Sequence, residues 1–176
     1  MKRILINPGH AKNGDPDPGV VNQVSRRRES DVVARIGAKV ETHLRNAGFM
    51  TRLVQCDSLA KIVSAANVLH ANAFVSIHCN GSNTHEARGT ETWYWYGSEL
   101  GEVFARIINS EIENRIPGIT KRGVKDGNFY VLRETMMPAV LVETAFLDNP
   151  HDEDLLLKYE EEFAQAIAYG TARFLS

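Results

Sequence analysis

The sequence predicts an α/β domain built on a mainly parallel sheet, and three observations carry that reading. Short apolar runs alternate with longer stretches whose apolar residues recur at helical spacing. Three of the short runs end alike: Ile4-Leu5-Ile6 leads into Asn7-Pro8-Gly9-His10, Phe74-Val75-Ser76-Ile77 into His78, and Ala139-Val140-Leu141-Val142 into Glu143. The 176 residues are enough for one well-cored domain and short for two, so residues 1–176 are read as a single unit. Sheets of this class present ligands and catalytic groups at the carboxyl ends of their strands, so three such tips point to one shared site.

Taken in order, Ile4–Ile6 is the first strand. The loop from Pro8 to Val21 holds three prolines and three glycines in fourteen residues, which makes it irregular and suits the border of a site. From about Arg28 to Ala47 the period becomes helical, with Val33, Ile36, Val40, Leu44 and Ala47 on one stripe and Gly48 as the stop. Glu29 falls four residues before Val33, so its carboxylate lies on the core-facing stripe of the first turn. There it is a helix-dipole partner or a ligand, and the dipole alone does not explain why it faces inward. Phe49–Val54 reads as a short strand. Ser58 caps a second helix carrying Leu59, Ile62, Val63, Ala66 and Leu69.

The central strand, residues 73–78, follows and is apolar enough to be buried on both faces. Asn80–Gly89 is a polar loop in which His85 is expected to be solvated. Thr90–Tyr96 has strong strand propensity, and sheet packing explains Trp93, Tyr94, Trp95 and Tyr96 more cheaply than stacking on a sugar does. A third helix runs from about Ser98 to Asn114. Ile116–Asn128 is expected to be a glycine-rich loop carrying Lys121, Arg122 and Lys125. Phe129–Leu132 and Ala139–Val142 are expected strands, and Asn149 caps one final helix with the stripe Leu155, Leu156, Tyr159, Phe163, Ile167 and Phe174. No internal repeat or linker interrupts the series.

Composition narrows the function. A hydrophobic share of 43% and a charged share of 24% are ordinary for a globular chain. A formal charge of −2 gives no reason to expect nucleic acid as a partner. Two cysteines, Cys56 and Cys79, cannot build a disulfide framework. No apolar run approaches the ~20 residues of a membrane span. Met1-Lys2-Arg3 has the charge of a signal n-region, but the apolar stretch behind it is far too short, so synthesis in the cytoplasm without an export signal is expected.

Taken singly, His78 reads as a satisfied histidine and Glu143 as a cap or ion-pair partner. Their coincidence at neighbouring strand ends changes the balance, because several ionisable groups are costly to bury together unless paired or bound to metal. Two histidines and one carboxylate, here His10, Glu29 and His78, form a recognised catalytic zinc set with a fourth position for water. No H-E-x-x-H motif gathers them, so spacing alone does not establish that they converge.

At these residues the sequence resembles a family closely. Asn-Pro-Gly-His10, Glu29 opening an amphipathic helix, Phe-Val-Ser-Ile-His78-Cys-Asn, Phe-Tyr-Val-Leu-Arg, and Pro-Ala-Val-Leu-Val-Glu143-Thr-Ala-Phe-Leu-Asp-Asn look like the zinc-dependent N-acetylmuramoyl-L-alanine amidases of bacterial autolysins and phage endolysins. The likeness runs from residue 4 to about 170. It implies a three-layer α/β/α sandwich around a twisted sheet, with one zinc ion per chain held by His10, Glu29 and His78 and with Glu143 as catalytic carboxylate. The implied substrate is peptidoglycan, cut at the amide between the muramic acid lactyl group and the L-alanine of the stem peptide. Ile62 and Asn72 depart from arginine and aspartate that relatives often carry, without touching the proposed ligands. Asn80, Arg122 and Lys125 are the expected substrate contacts, the cations meeting muropeptide carboxylates. A monomer is expected, released to the wall in the manner of an endolysin.

Two readings compete: a zinc peptidase cutting within the stem peptide, and an inactive murein-binding module. The presence of Glu143 and all three ligands argues against the second. A phosphate cradle in the Pro8–Val21 loop ranks last, because neither G-x-G-x-x-G nor G-x-x-x-x-G-K-[ST] occurs there.

Overall fold

The computed structural model describes residues 1–176. Six strands form one sheet in the order β2-β1-β3-β6-β4-β5. They are β1 (Arg3–Pro8), β2 (Met50–Leu53), β3 (Ala73–Asn80), β4 (Thr90–Tyr94), β5 (Lys121–Asp126) and β6 (Ala139–Phe146). All neighbouring pairs are parallel except β4 with β6. The helices are α1 (Glu29–Asn46), α2 (Leu59–Val68), α3 (Glu99–Arg115), α4 (Tyr130–Arg133), α5 (Pro150–Lys158) and α6 (Glu160–Leu175). The predicted α/β class, the mainly parallel sheet and the three-layer arrangement are all present.

Alternation along the strands sorts the core into two layers. Ile4 and Ile6 of β1, Val75 and Ile77 of β3, and Val140 and Val142 of β6 join the apolar stripes of α1, α3, α5 and α6 in a cluster of 29 buried residues. Leu5, Phe74, Ala139 and Leu141 point to the other face, where α2 and α4 complete a cluster of only ten. Both Ser58 and Ser98 cap their helices through the side-chain oxygen, accepting from Lys61 N and Gly101 N.

Three segments differ from the sequence reading. Residues 121–126, expected in a loop, form β5 at the edge of the sheet. Its charged sequence lacks the apolar alternation of an inner strand, as edge strands often do. Phe129–Leu132, expected as a strand, precedes and forms the single-turn α4. Val131 and Leu132 pack into the smaller core rather than joining the sheet, so packing overrides strand propensity. The final helix is two, divided at Tyr159, whose φ of −115° and ψ of 27° are not helical.

Candidate metal centre

The site lies on the thinly covered face, above α2 and α4. On that face each strand turns from apolar to polar towards one end: Leu5 to Asn7, Phe74 through Ser76 to His78 and Asn80, and Leu141 to Glu143. The antiparallel β4 contributes the reverse order, Glu91 before Trp93. Because β3 and β6 are parallel and in register, His78 and Glu143 are direct neighbours.

Three elements bring His10, Glu29 and His78 together. Their ligand atoms lie within 4.8 Å of one another, as the sequence reading required and could not establish. His10 follows β1 in a left-handed conformation, φ 66°, and Gly9 before it is packed so closely that a Cβ there would overlap the His78 imidazole. Gly19 serves the other side: its φ is +68°, and a Cβ would sit 2.5 Å from Glu29 Oε2. Glu29, the first residue of α1, is 2% exposed. One of its oxygens accepts from Val20 N and faces His10 Nε2 at 2.9 Å. The other accepts from Cys79 N and faces His78 Nδ1, also at 2.9 Å.

The electrostatics are those of a charged cluster in a half-dry place. Burial opposes the charge on His10, but Glu29 and Asp17 outweigh it and raise its pKa to about 9. Burial likewise opposes ionisation of Glu29, yet the two histidines bring its carboxyl down to about 2. Burial also opposes charging His78, and Glu29 again prevails and raises it. These shifts describe imidazolium–carboxylate ion pairs, and a divalent cation held by the same three side chains would displace the histidine protons.

Glu143 is the exception. Burial, helped by the Glu29 and Glu91 carboxylates and opposed by His78, pushes its pKa up to about 7. Its Oε2 is buried with no hydrogen-bond partner, beside a cleft of about 210 Å³ lined by Asn7, His10, His78, Phe129, Tyr130 and Glu143. A carboxylate poised near neutrality in a cleft suits proton transfer. A larger groove of about 460 Å³ lies at the far end of β4, around Trp95 and Met136, and holds no comparable ionisable cluster.

Two functional partners escaped the sequence reading. Asp17 Oδ2 lies 2.8 Å from His10 Nδ1, fixing the imidazole so that Nε2 faces Glu29. Its position in the loop already flagged as a site border was the available signal. Glu91 is the second: it is 3% exposed and accepts from Asn80, Arg122 and Lys125 at 2.9, 2.6 and 2.5 Å. A carboxylate in the same alternating phase as Trp93 and Trp95 was its signal. The three expected substrate contacts thus meet each other at one buried acid. His85, expected to be solvated, keeps a half-exposed ring but pairs with Asp148 Oδ2 at 2.9 Å.

Comparison with known proteins gives a consistent result. The family described as N-acetylmuramoyl-L-alanine amidase matches residues 4–173. The N-acetylmuramoyl-L-alanine amidase LytC of Bacillus subtilis is 34% identical over 97% of this chain and 35% of its own length. Among solved structures, the catalytic domain of the amidase CwlV from Paenibacillus polymyxa is 34% identical with a TM-score of 0.90, covering 99% of this chain and 98% of that one. The amidase AmiC2 of Nostoc punctiforme is 31% identical with a TM-score of 0.91, covering 99% and 97%. The chain spans between 34% and 59% of the length of the first curated relatives it matches. No helix is long and apolar enough to cross a membrane.

Proposed function

The chain belongs to the N-acetylmuramoyl-L-alanine amidase family, and from that premise we propose that residues 1–176 form a zinc-dependent catalytic unit acting on peptidoglycan at the bacterial cell wall. The bond cut is the amide between N-acetylmuramic acid and the L-alanine of the stem peptide. The observation that carries the reading is the convergence of His10, Glu29 and His78 beside an unpartnered Glu143. The donor set fits zinc: two neutral imidazoles and one carboxylate are a known catalytic combination, and Asp17 supplies the second carboxylate that orients a ligating histidine. One ion per chain, in a monomer, is the proposed stoichiometry.

When bound there, zinc would acidify a water and polarise the amide carbonyl as a Lewis acid. The protein's own part is proton management. Glu143 accepts the proton of the attacking water and returns it to the departing alanine nitrogen, as base and then acid. Its raised pKa, about 7, keeps both forms accessible near neutral pH. Phe129 and Tyr130 line the cleft that Glu143 faces. Asn80, Arg122 and Lys125 are proposed substrate contacts on the side of the cleft marked by Glu91.

Mass spectrometry of the soluble products from purified peptidoglycan tests the reading. Free stem peptides with a new L-alanine N-terminus, lost on chelation and restored by zinc, are expected. Cuts inside the stem peptide would replace the amidase with a peptidase.

A further inference from the structure

The antiparallel pairing of β4 with β6 sets Glu91 directly opposite Glu143. Like charges in that position repel unless one is matched, and Glu91 is matched twice over. Arg122 Nε and Lys125 Nζ both donate to Glu91 Oε2, while Asn80 Nδ2 donates to Oε1. A register shift between Thr90 and Glu91 helps: Lys121 pairs with Thr90 and Gly123 with Glu91, which leaves Arg122 as the extra residue of a bulge. Such a bulge re-aims a side chain.

Two cations on one carboxylate leave one net positive charge. Arg122 spends only Nε on Glu91, so both terminal nitrogens of its guanidinium fork are free of other protein acceptors. The fork lies 5.0 Å over the Phe146 ring, which holds its plane. Arg122 and Lys125 side chains are 31% and 35% exposed, whereas that of Glu91 is 3% exposed. The donors reach solvent and the acid does not.

We propose that Glu91 is the positioning residue of a carboxylate subsite: it fixes Asn80, Arg122 and Lys125 beside Glu143 and sets the subsite to a single positive charge. The substrate class follows from the proposed amidase reaction, on which this inference rests in that one respect. A planar carboxylate suits the free guanidinium fork, and a monoanion matches the charge left over. Glu91 also competes with the incoming carboxylate for the same two cations, which gives the variants opposite signs.

NMR titration with L-alanyl-D-glutamate amidated at the γ-carboxyl, its α-carboxylate free or also amidated, reads this without turnover. Wild type favours the free form over the amide. Arg122→Gln and Lys125→Met each reduce that preference about tenfold, the scale of one charge-assisted contact. Glu91→Gln increases it by a similar factor, because the ligand then has both cations to itself. The double variant Glu91→Gln with Lys125→Met restores the charge count and returns the preference towards wild type. An unchanged preference in Arg122→Gln would overturn the subsite. Weaker binding of both ligands in Glu91→Gln, or failure of both Glu91 variants to fold, would make Glu91 a structural residue and overturn its proposed role. A chain that binds the free dipeptide but never cleaves peptidoglycan would refute the amidase reaction and leave the subsite standing. Cleavage without any carboxylate preference would refute the subsite alone.

Discussion

One face of the sheet carries α1, α3, α5 and α6 over 29 buried residues, while the other carries α2 and one turn of α4 over ten. On the first face β3 stays apolar to its end, through Val75, Ile77 and Cys79, and the buried polar residues there are hydroxyls with partners, such as Thr92 and Thr144. On the second they begin apolar and finish as Asn7, Ser76, His78, Asn80 and Glu143. The same strands therefore do two jobs, separated only by their alternation. The closed face supplies cohesion. The open face spends that cohesion on ionisable groups that would be costly to bury without partners. A thin cover leaves an open cleft beside them.

Variants on the open face should strike activity hardest. Glu143→Gln should lower turnover by about 10²–10⁴-fold while leaving zinc content intact, since it removes the proton acceptor and not a ligand. Steady-state kinetics alongside elemental analysis would check this. Full activity in Glu143→Gln would remove the general-base role and blur the division between the faces.

Closed-face truncations should do the reverse. Phe163→Ala or Phe104→Ala, each at fully buried positions, should cost about 3–5 kcal/mol of stability. Denaturant unfolding measures that cost, and the protein still folded should retain zinc and turnover. A closed-face truncation that abolished metal binding without lowering stability would contradict the separation.

The next effect has an unusual sign. Glu143 has its carboxyl pKa raised in the fold, from 4.5 to about 7. The stability associated with a raised pKa is fully present below the unfolded value and is lost as pH rises through the folded one. Metal-free wild type should therefore lose on the order of 1–3 kcal/mol between pH 4.5 and 8 from this group. Glu143→Gln should remove that slope and melt higher at pH 8. Thermal melts of both proteins across the range would show it, and parallel curves would mean the buried carboxylate is not strained.

The smallest effect is local. Ser98→Ala removes the side-chain cap of α3 and should cost about 1 kcal/mol, with no change in the site. A larger loss would mean that α3 is tied to the cleft more tightly than its packing suggests.

How much was legible in the sequence follows the same division. Closed-face elements announce themselves, because α1 has an apolar stripe from Val32 to Leu44 with Gly48 as its stop, and α3 repeats Phe104, Ile108 and Ile112 at helical spacing. The proposed ligands left a partial trace: His10 and His78 follow apolar runs, and Glu29 stands on a core-facing stripe, but their convergence was not readable from spacing. What escaped depends on tertiary partners. β5 lacks apolar alternation because none of its six residues is fully buried on either face. α4 carries the strand formers Tyr130 and Val131, but Val131 and Leu132 find their burial in the smaller core over the sheet. Glu91 and Asp17 are visible only through what they hold. Tyr159 gave no sign of a break, since the apolar stripe continues from Leu156 to Phe163 across it.

The most direct test of the account is the zinc content of the purified chain compared with that of Glu29→Gln. One zinc per wild-type chain, and none in a Glu29→Gln protein with an unchanged circular dichroism spectrum, is the result predicted for a metal centre that joins Glu29 of α1 to the two histidines at the strand ends. Zinc retained in Glu29→Gln, or absent from wild type after loading with excess metal, would contradict it.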